Sequence, residues 1–188
     1  MRIVGIVGAI TGSKTRIAVS QVLEEIRAKN EETDVELLDL SAFQVAFSDG
    51  RDYRDYKDDT RILIEKIMAA DAFIIGTPIY QASISGALKN VLDLLPVDAF
   101  KDKVVGIVTT AGSARHYLVA EQHLKPILHY MKAIVVPCFV FIEEKDFLFN
   151  NIIADDVVFR LSRLASDTVF TMKTVQTLLA MENSNYGF

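Results

Sequence analysis

Short runs of β-branched and aliphatic residues alternate with longer segments of helical period from one end of this chain to the other. That alternation constrains the fold more than any other feature. Strands separated by helix-length connections run parallel, and a parallel sheet needs helices over both of its faces. Five runs read as strands, at residues 2–7, 35–39, 72–77, 104–109 and roughly 134–142. Each is mostly apolar, as expected of strands buried on both faces. Between them, Val19, Val22, Leu23 and Ile26 form one apolar stripe of a helix at about 16–29, and Leu88, Val91, Leu92 and Leu95 another at about 85–95. A second helix is expected to start at Asp59 or Thr60, either of which can cap it, and a fourth spans about 118–131. The last starts near Asp155, follows Leu161, Leu164, Ala165, Thr168, Met172, Val175 and Leu179, and is expected to fray into the polar tail at 183–188. The class is α/β, a three-layer sandwich with helices on both faces of the sheet.

A chain of 188 residues, 51% hydrophobic and 24% charged, suits one domain over 1–188, and no repeat or Pro/Gly/Ser-rich linker divides it. The net charge of -5 gives no basic field to collect nucleic acid. Apolar runs such as 104–108 and 134–136 are far short of the roughly 20 residues needed to cross a bilayer, so no membrane role is expected. Cys138 is the sole cysteine and can form no internal disulfide, and the N-terminus enters an apolar strand directly, without the marks of a secretory signal. Both features fit a reducing cytoplasm. The connection at 41–58 is long and rich in carboxylates, which raises a metal site; its interleaved Arg51, Arg54 and Lys57 favour a self-neutralised solvated loop instead.

Open parallel sheets bind ligands beyond the carboxyl ends of their strands, where strand order reverses. Three loops therefore matter. The first, Gly8-Ala9-Ile10-Thr11-Gly12-Ser13-Lys14-Thr15-Arg16, passes from a strand into a helix N-terminus rich in small and hydroxylated residues. Free N–H groups there, the helix dipole, the hydroxyls of Thr11, Ser13 and Thr15, and the charges of Lys14 or Arg16 make a phosphate cradle. An ATP-binding loop would read G-x-x-x-x-G-K-S/T. Here Ser13 separates Gly12 from Lys14, and strand three ends in Gly76-Thr77-Pro78 without an acid for Mg²⁺. The dinucleotide fingerprint G-x-G-x-x-G is absent as well, and Asp39 after strand two reads as a cap. No nucleophile elbow and no paired His or Cys spacing appears; His123, His129 and Cys138 read as structural.

The second loop, Thr77-Pro78-Ile79-Tyr80-Gln81-Ala82-Ser83-Ile84-Ser85-Gly86-Ala87-Leu88-Lys89-Asn90, resembles the P-x-Y-x-x-S-x-S/P-G-x-L-K-N stretch of the NADPH-dependent FMN reductase family. The chain start, residues 70–96 and Leu124-Lys125-Pro126-Ile127-Leu128 are similar too, so the resemblance covers most of 1–145. It is closest in look to the reductases that supply reduced FMN to two-component alkanesulfonate monooxygenases. The resemblance implies a flavodoxin-like fold, a five-stranded parallel sheet of order 2-1-3-4-5. It also implies FMN as cofactor, NADPH or NADH as donor, a small-molecule electron acceptor, a homodimer or homotetramer, and a flavin-dependent monooxygenase as a possible partner. Pro78, Ile79 and Tyr80 would then form an apolar shelf for the flavin ring, with Gln81, Ala82 and Ser83 supplying backbone groups and a hydroxyl to its polar edge. The third loop, Thr110-Ala111-Gly112-Ser113, matches the family's small-residue segment on the other side of the ring, and Arg115 and His116 follow it as weaker candidates. No catalytic side chain is expected, because hydride transfer needs positioning rather than an acid or base. The first loop departs from the family's approximate G-S-x-R-x-x-S-x-T: Ala9 replaces the Ser, Thr11 the Arg, and one residue is missing, so the phosphate geometry should differ. A flavodoxin-like electron carrier without its own NAD(P)H site remains an alternative, and a sheet domain without flavin a third.

Overall fold

The computed structural model describes residues 1–186. In chain order the elements are β1 (Arg2–Val7), α1 (Lys14–Lys29), β2 (Asp34–Asp39), α2 (Asp59–Met68), β3 (Ala72–Tyr80), β4 (Ser83–Ile84), α3 (Gly86–Leu94), β5 (Val104–Ala111), α4 (Lys125–Tyr130), β6 (Ile134–Val135), β7 (Val140–Glu143), β8 (Phe147–Leu148), β9 (Asn151–Ile152) and α5 (Asp155–Tyr186). The main sheet runs β2-β1-β3-β5, all parallel, with β6 and β7 sharing the last place beside β5. This is the expected order, with one correction to the fifth strand. The run expected at 134–142 is broken, because the chain advances five residues, from Val135 opposite Val105 to Val140 opposite Val108, where β5 advances three, and the excess bulges out at the edge around Pro137. Val136 N–H still reaches Val105 C=O at 2.9 Å, and pairing resumes with Val140 opposite Val108. Cys138, expected within a strand, sits exposed in the gap.

Apolar residues sort the helices to two faces. On one, α1 and α5 bury Val19, Val22, Leu23, Leu161, Leu164 and Met172 against Ile3, Ile74, Val104 and Val108. On the other, α2, α3 and α4 bury Ile64, Ile67, Leu88, Leu92 and Leu128 against Val4, Ile6, Phe73 and Val105. The helix expected at about 118–131 is found over 119–130, but its first part is a π-helical turn, Ala120–Leu124, ahead of α4. The wider turn is closed by Lys125 N–H on Ala120 C=O, immediately ahead of Pro126, whose ring would crowd the Gln122 carbonyl in a regular α-turn. His123 and His129 lie exposed on this segment. Rather than fraying at 183, α5 continues to Tyr186, and the last two residues of the expected tail lie outside the described residues. No helix among the described residues is long and apolar enough to cross a membrane.

Residues 41–58 are strapped to the body rather than loose. Asn90 on α3 accepts from Ser48 N–H and donates to Ala46 C=O, both at 2.9 Å, while Tyr56 is buried and donates to Asp49 at 3.0 Å. Asp49 pairs with Arg51 and Asp52 with Arg54, whose hydrogen bonds hold the Asp52 carboxyl down at about 2. No group of three or more metal-ligating side chains occurs among the described residues.

Glu36 on β2 accepts from Arg2 at 2.5 Å and from Lys66. Burial pushes its carboxyl up, but the hydrogen bonds from Lys66 and Arg2 outweigh burial and leave it below the usual glutamate range. A depressed carboxylate contributes stability that is present above the unfolded value, about 4.3, and lost as pH falls through the folded one. Melting curves taken between about pH 6 and pH 3 should therefore fall more steeply for the unaltered chain than for Glu36→Gln. Parallel curves would remove Glu36 from the account of acid sensitivity.

Candidate functional site

A cleft of about 330 Å³ opens at the carboxyl ends of β1, β3 and β5. One side is the start of α1. Its first helical hydrogen bond is Ile17 N–H to Ser13 C=O at 2.8 Å, so the amides of Lys14, Thr15 and Arg16 have no partner inside the helix. Ser13 occupies the N-cap without bonding its own helix, and the first turn carries no acidic residue. Gly12 sits at φ +84° with open space where a Cβ would point, a left-handed position that favours glycine. Thr11, Gly12, Ser13, Lys14 and Thr15 line this side.

Opposite stand Pro78, Ile79 and Tyr80, followed by Thr110, Ala111 and Gly112. β3 runs three residues beyond the strand read from sequence, because Pro78 stays in register with Thr110 on β5 and carries the chain over the cleft. Tyr80 then pairs with Ser83 across a two-residue turn. Gln81 and Ala82 take φ +48° and +58°, the conformation of a primed hairpin turn, without the Gly or Asn that usually relieves it. The two sides are tied below the surface by a buried hydrogen bond between the Thr15 and Thr110 hydroxyls, 2.7 Å apart. The start of α3 is locked to the end of β1, since the Ser85 hydroxyl donates to Gly8 C=O and accepts from Leu88 N–H at 3.1 Å.

Ten of the residues singled out from sequence line the cleft: Thr11, Ser13, Lys14, Thr15, Pro78, Ile79, Tyr80, Thr110, Ala111 and Gly112. Others lie around it. Gly8 is buried beneath the floor, its N–H on Gly76 C=O at 2.7 Å, where an added Cβ would meet that oxygen and Leu88 Cβ at 3.0 Å. Arg16 faces away, 3.5 Å from Asp39, whose carboxylate also caps the next turn through Ser41 N–H at 3.0 Å. Gln81 and Ala82 form the exposed hairpin tip, and Ser83 faces His123, hydroxyl to Nδ1 at 2.9 Å. Ser113 and His116 are half-buried and Arg115 exposed, none of them lining the cleft.

Two lining residues escaped sequence reasoning. Glu144 and Phe147 come from the turn after β7 and from β8. Lys14 Nζ is hydrogen-bonded to the Glu144 carboxylate and lies 5.7 Å from the centre of the Phe147 ring. No local signal marks them, although the Asn150-Asn151 pair between apolar flanks hints at the small β8–β9 hairpin that holds Phe147.

The sequence profile of NADPH-dependent FMN reductases matches residues 1–147. An NAD(P)H-dependent FAD/FMN reductase of Geobacillus thermodenitrificans is 44% identical over 170 residues, 90% of this chain and 92% of that protein. An FMN-dependent NADPH-azoreductase of Staphylococcus aureus is 34% identical over 153 residues, 78% of this chain and 79% of its own. Among solved structures, apo NADH:FMN oxidoreductase superposes with a TM-score of 0.77 at 26% identity, covering 90% of this chain and 89% of that one. An archaeal flavodoxin shares the fold at a TM-score of 0.63 and 16% identity, over 92% of this chain and 99% of its own. On its profile match and its relatives together, the chain belongs to the NADPH-dependent FMN reductase family.

Proposed function

We propose that this chain is an NAD(P)H-dependent FMN reductase that passes the electrons on to a small-molecule acceptor. The observation that carries the reading is the pairing, across one cleft, of an α1 start with unpartnered N–H groups and an apolar Pro78-Ile79-Tyr80 shelf. The residues fit FMN. The amides at the start of α1, with Thr11, Ser13, Lys14 and Thr15, suit a phosphate. Pro78, Ile79 and Tyr80 suit one part of the ring, and the small residues Ala111 and Gly112 leave room beside it. Gln81, Ala82 and Ser83 would meet the polar edge of the ring by backbone groups, and Gly8, Arg16 and Ser113 would shape the surroundings. Bound FMN supplies a ring that takes hydride from a reduced nicotinamide and gives electrons to an acceptor. The protein's part is to hold donor and ring in contact, and no side-chain acid or base is assigned.

The acceptor is free flavin, a quinone, an azo compound, a metal ion or oxygen, and the flavin reductase and azoreductase among the relatives support the first and third of these. A homodimer or homotetramer, a flavin-dependent monooxygenase as recipient of reduced flavin, and a cytoplasmic setting suited to the free Cys138 thiol complete the reading. Anaerobic titration of the FMN-loaded protein with NADPH, and separately NADH, is the test. Rapid loss of the oxidised flavin absorbance is expected with at least one donor. Bound FMN that bleaches only slowly with both would favour an electron carrier, and absence of FMN binding would overturn the flavin reading.

A further inference from the structure

We propose that Glu144 is a latch that competes with the ligand's phosphate for Lys14, and so sets how tightly FMN is held relative to a flavin without phosphate. The inference rests on the flavin reading of the cleft.

Among the residues lining the cleft, Lys14 is the one cation and Glu144 the one anion. A site for a phosphate is thus formally neutral as it stands, because its ammonium is already engaged. The partners are 130 residues apart in sequence. The contact is reinforced on the same side. Lys14 also faces the Phe147 ring, and the Ser13 hydroxyl reaches Asn150 Oδ1 at 3.3 Å, so the α1 start is bound to the β8–β9 hairpin at more than one point. A phosphate arriving at the free amides of α1 meets a carboxylate held nearby by the very lysine that would assist it. Like charges at such a distance repel, and the ammonium cannot serve both anions equally. Glu144 has somewhere to go: its side chain is 65% exposed against 33% for Lys14, so it can release the lysine into the cleft and turn to water. Phe147 stays buried and the Ser13–Asn150 contact stays available, so the hairpin need not move when the ion pair exchanges. Every phosphate-bearing ligand therefore works against the latch, while riboflavin, which carries the same ring without the phosphate, does not.

The test measures dissociation constants for FMN and riboflavin by flavin fluorescence quenching in the unaltered protein, Glu144→Gln, Lys14→Met and the double variant, at low and high salt. Glu144→Gln keeps the shape and removes the charge. It should tighten FMN about fivefold at low salt, less at high salt, and leave riboflavin unchanged. Lys14→Met should weaken FMN, and in its background Glu144→Gln should lose most of its effect, because the competition runs through the lysine. Tightening of both flavins alike, no tightening of FMN, or the same gain with Lys14 absent would each overturn the latch while leaving the flavin reading in place. Failure of the unaltered protein to bind either flavin would overturn the reading beneath it, and the latch with it.

Discussion

Gly76→Ala is expected to cost about 3 kcal/mol of folding stability, near the top of the usual range for overpacked cores, although it adds a single methyl group. Gly76 lies in β3 directly under α1, and a Cβ there would fall 2.3 Å from Val19 Cγ2 and 3.0 Å from Thr15 Cγ2. Neither neighbour can step aside. Val19 is fully buried between helix and sheet, and Thr15 is fixed by its hydroxyl bond to Thr110. The helix must lift instead, and that motion separates the two sides of the cleft. For a chain of this size the melting temperature should fall by roughly 6–12 °C, and FMN affinity should fall with it. Gly86→Ala is the control, since nothing lies within 4 Å of its added Cβ. It should be neutral or stabilising by about 0.5 kcal/mol, chiefly by restricting the unfolded chain. Equal melting temperatures for the two variants would show that α1 is not seated as closely on β3 as this geometry requires.

The contrast between those glycines also shows where the sequence speaks and where it is silent. Periodicity placed the helices and the buried strands because each buries an apolar stripe or run against a neighbour, and burial is a property of local pattern. Order within the sheet came from the family resemblance around Pro78-Ile79-Tyr80, not from pattern. Boundaries failed where tertiary pairing overrides local preference. Pro78 would end an isolated strand, yet it is carried on because Thr110 lies in register beside it. Pro137 marks the break in another, where two residues more than β5 can match bulge out at the sheet edge. The turn at Gln81 and Ala82 was illegible for a similar reason: neither residue prefers a positive φ, and the paired ends of β3 and β4 impose it. That the first loop enters a helix was readable from its hydroxyls and small residues, and the structure sets Thr11, Ser13, Lys14 and Thr15 along one side of the cleft. The Lys14–Glu144 ion pair was not readable, because its partners are 130 residues apart and the contact leaves no trace in local sequence.

Ser13→Asp should separate stability from binding with opposite signs. Ser13 makes no capping bond to α1, so none is lost, and α1 has no acidic residue in its first turn to offset the dipole. The substitution should therefore leave stability unchanged or raise it by about 0.3–1 kcal/mol. In the cleft the same carboxylate occupies the space in which a phosphate would meet the amides of Lys14, Thr15 and Arg16. A fixed negative charge within a few ångströms of a phosphate is unfavourable by several kcal/mol near a protein surface before solvent and salt screen it. FMN affinity should accordingly fall by about 100-fold, whereas riboflavin, lacking the phosphate, should bind as before. Thermal melts and fluorescence titrations on one preparation give both answers. A variant that melts at or above the parent temperature yet loses FMN selectively places the phosphate at the start of α1. Undiminished FMN binding would mean that the phosphate sits elsewhere, and that the free amides of this helix serve only its own fold.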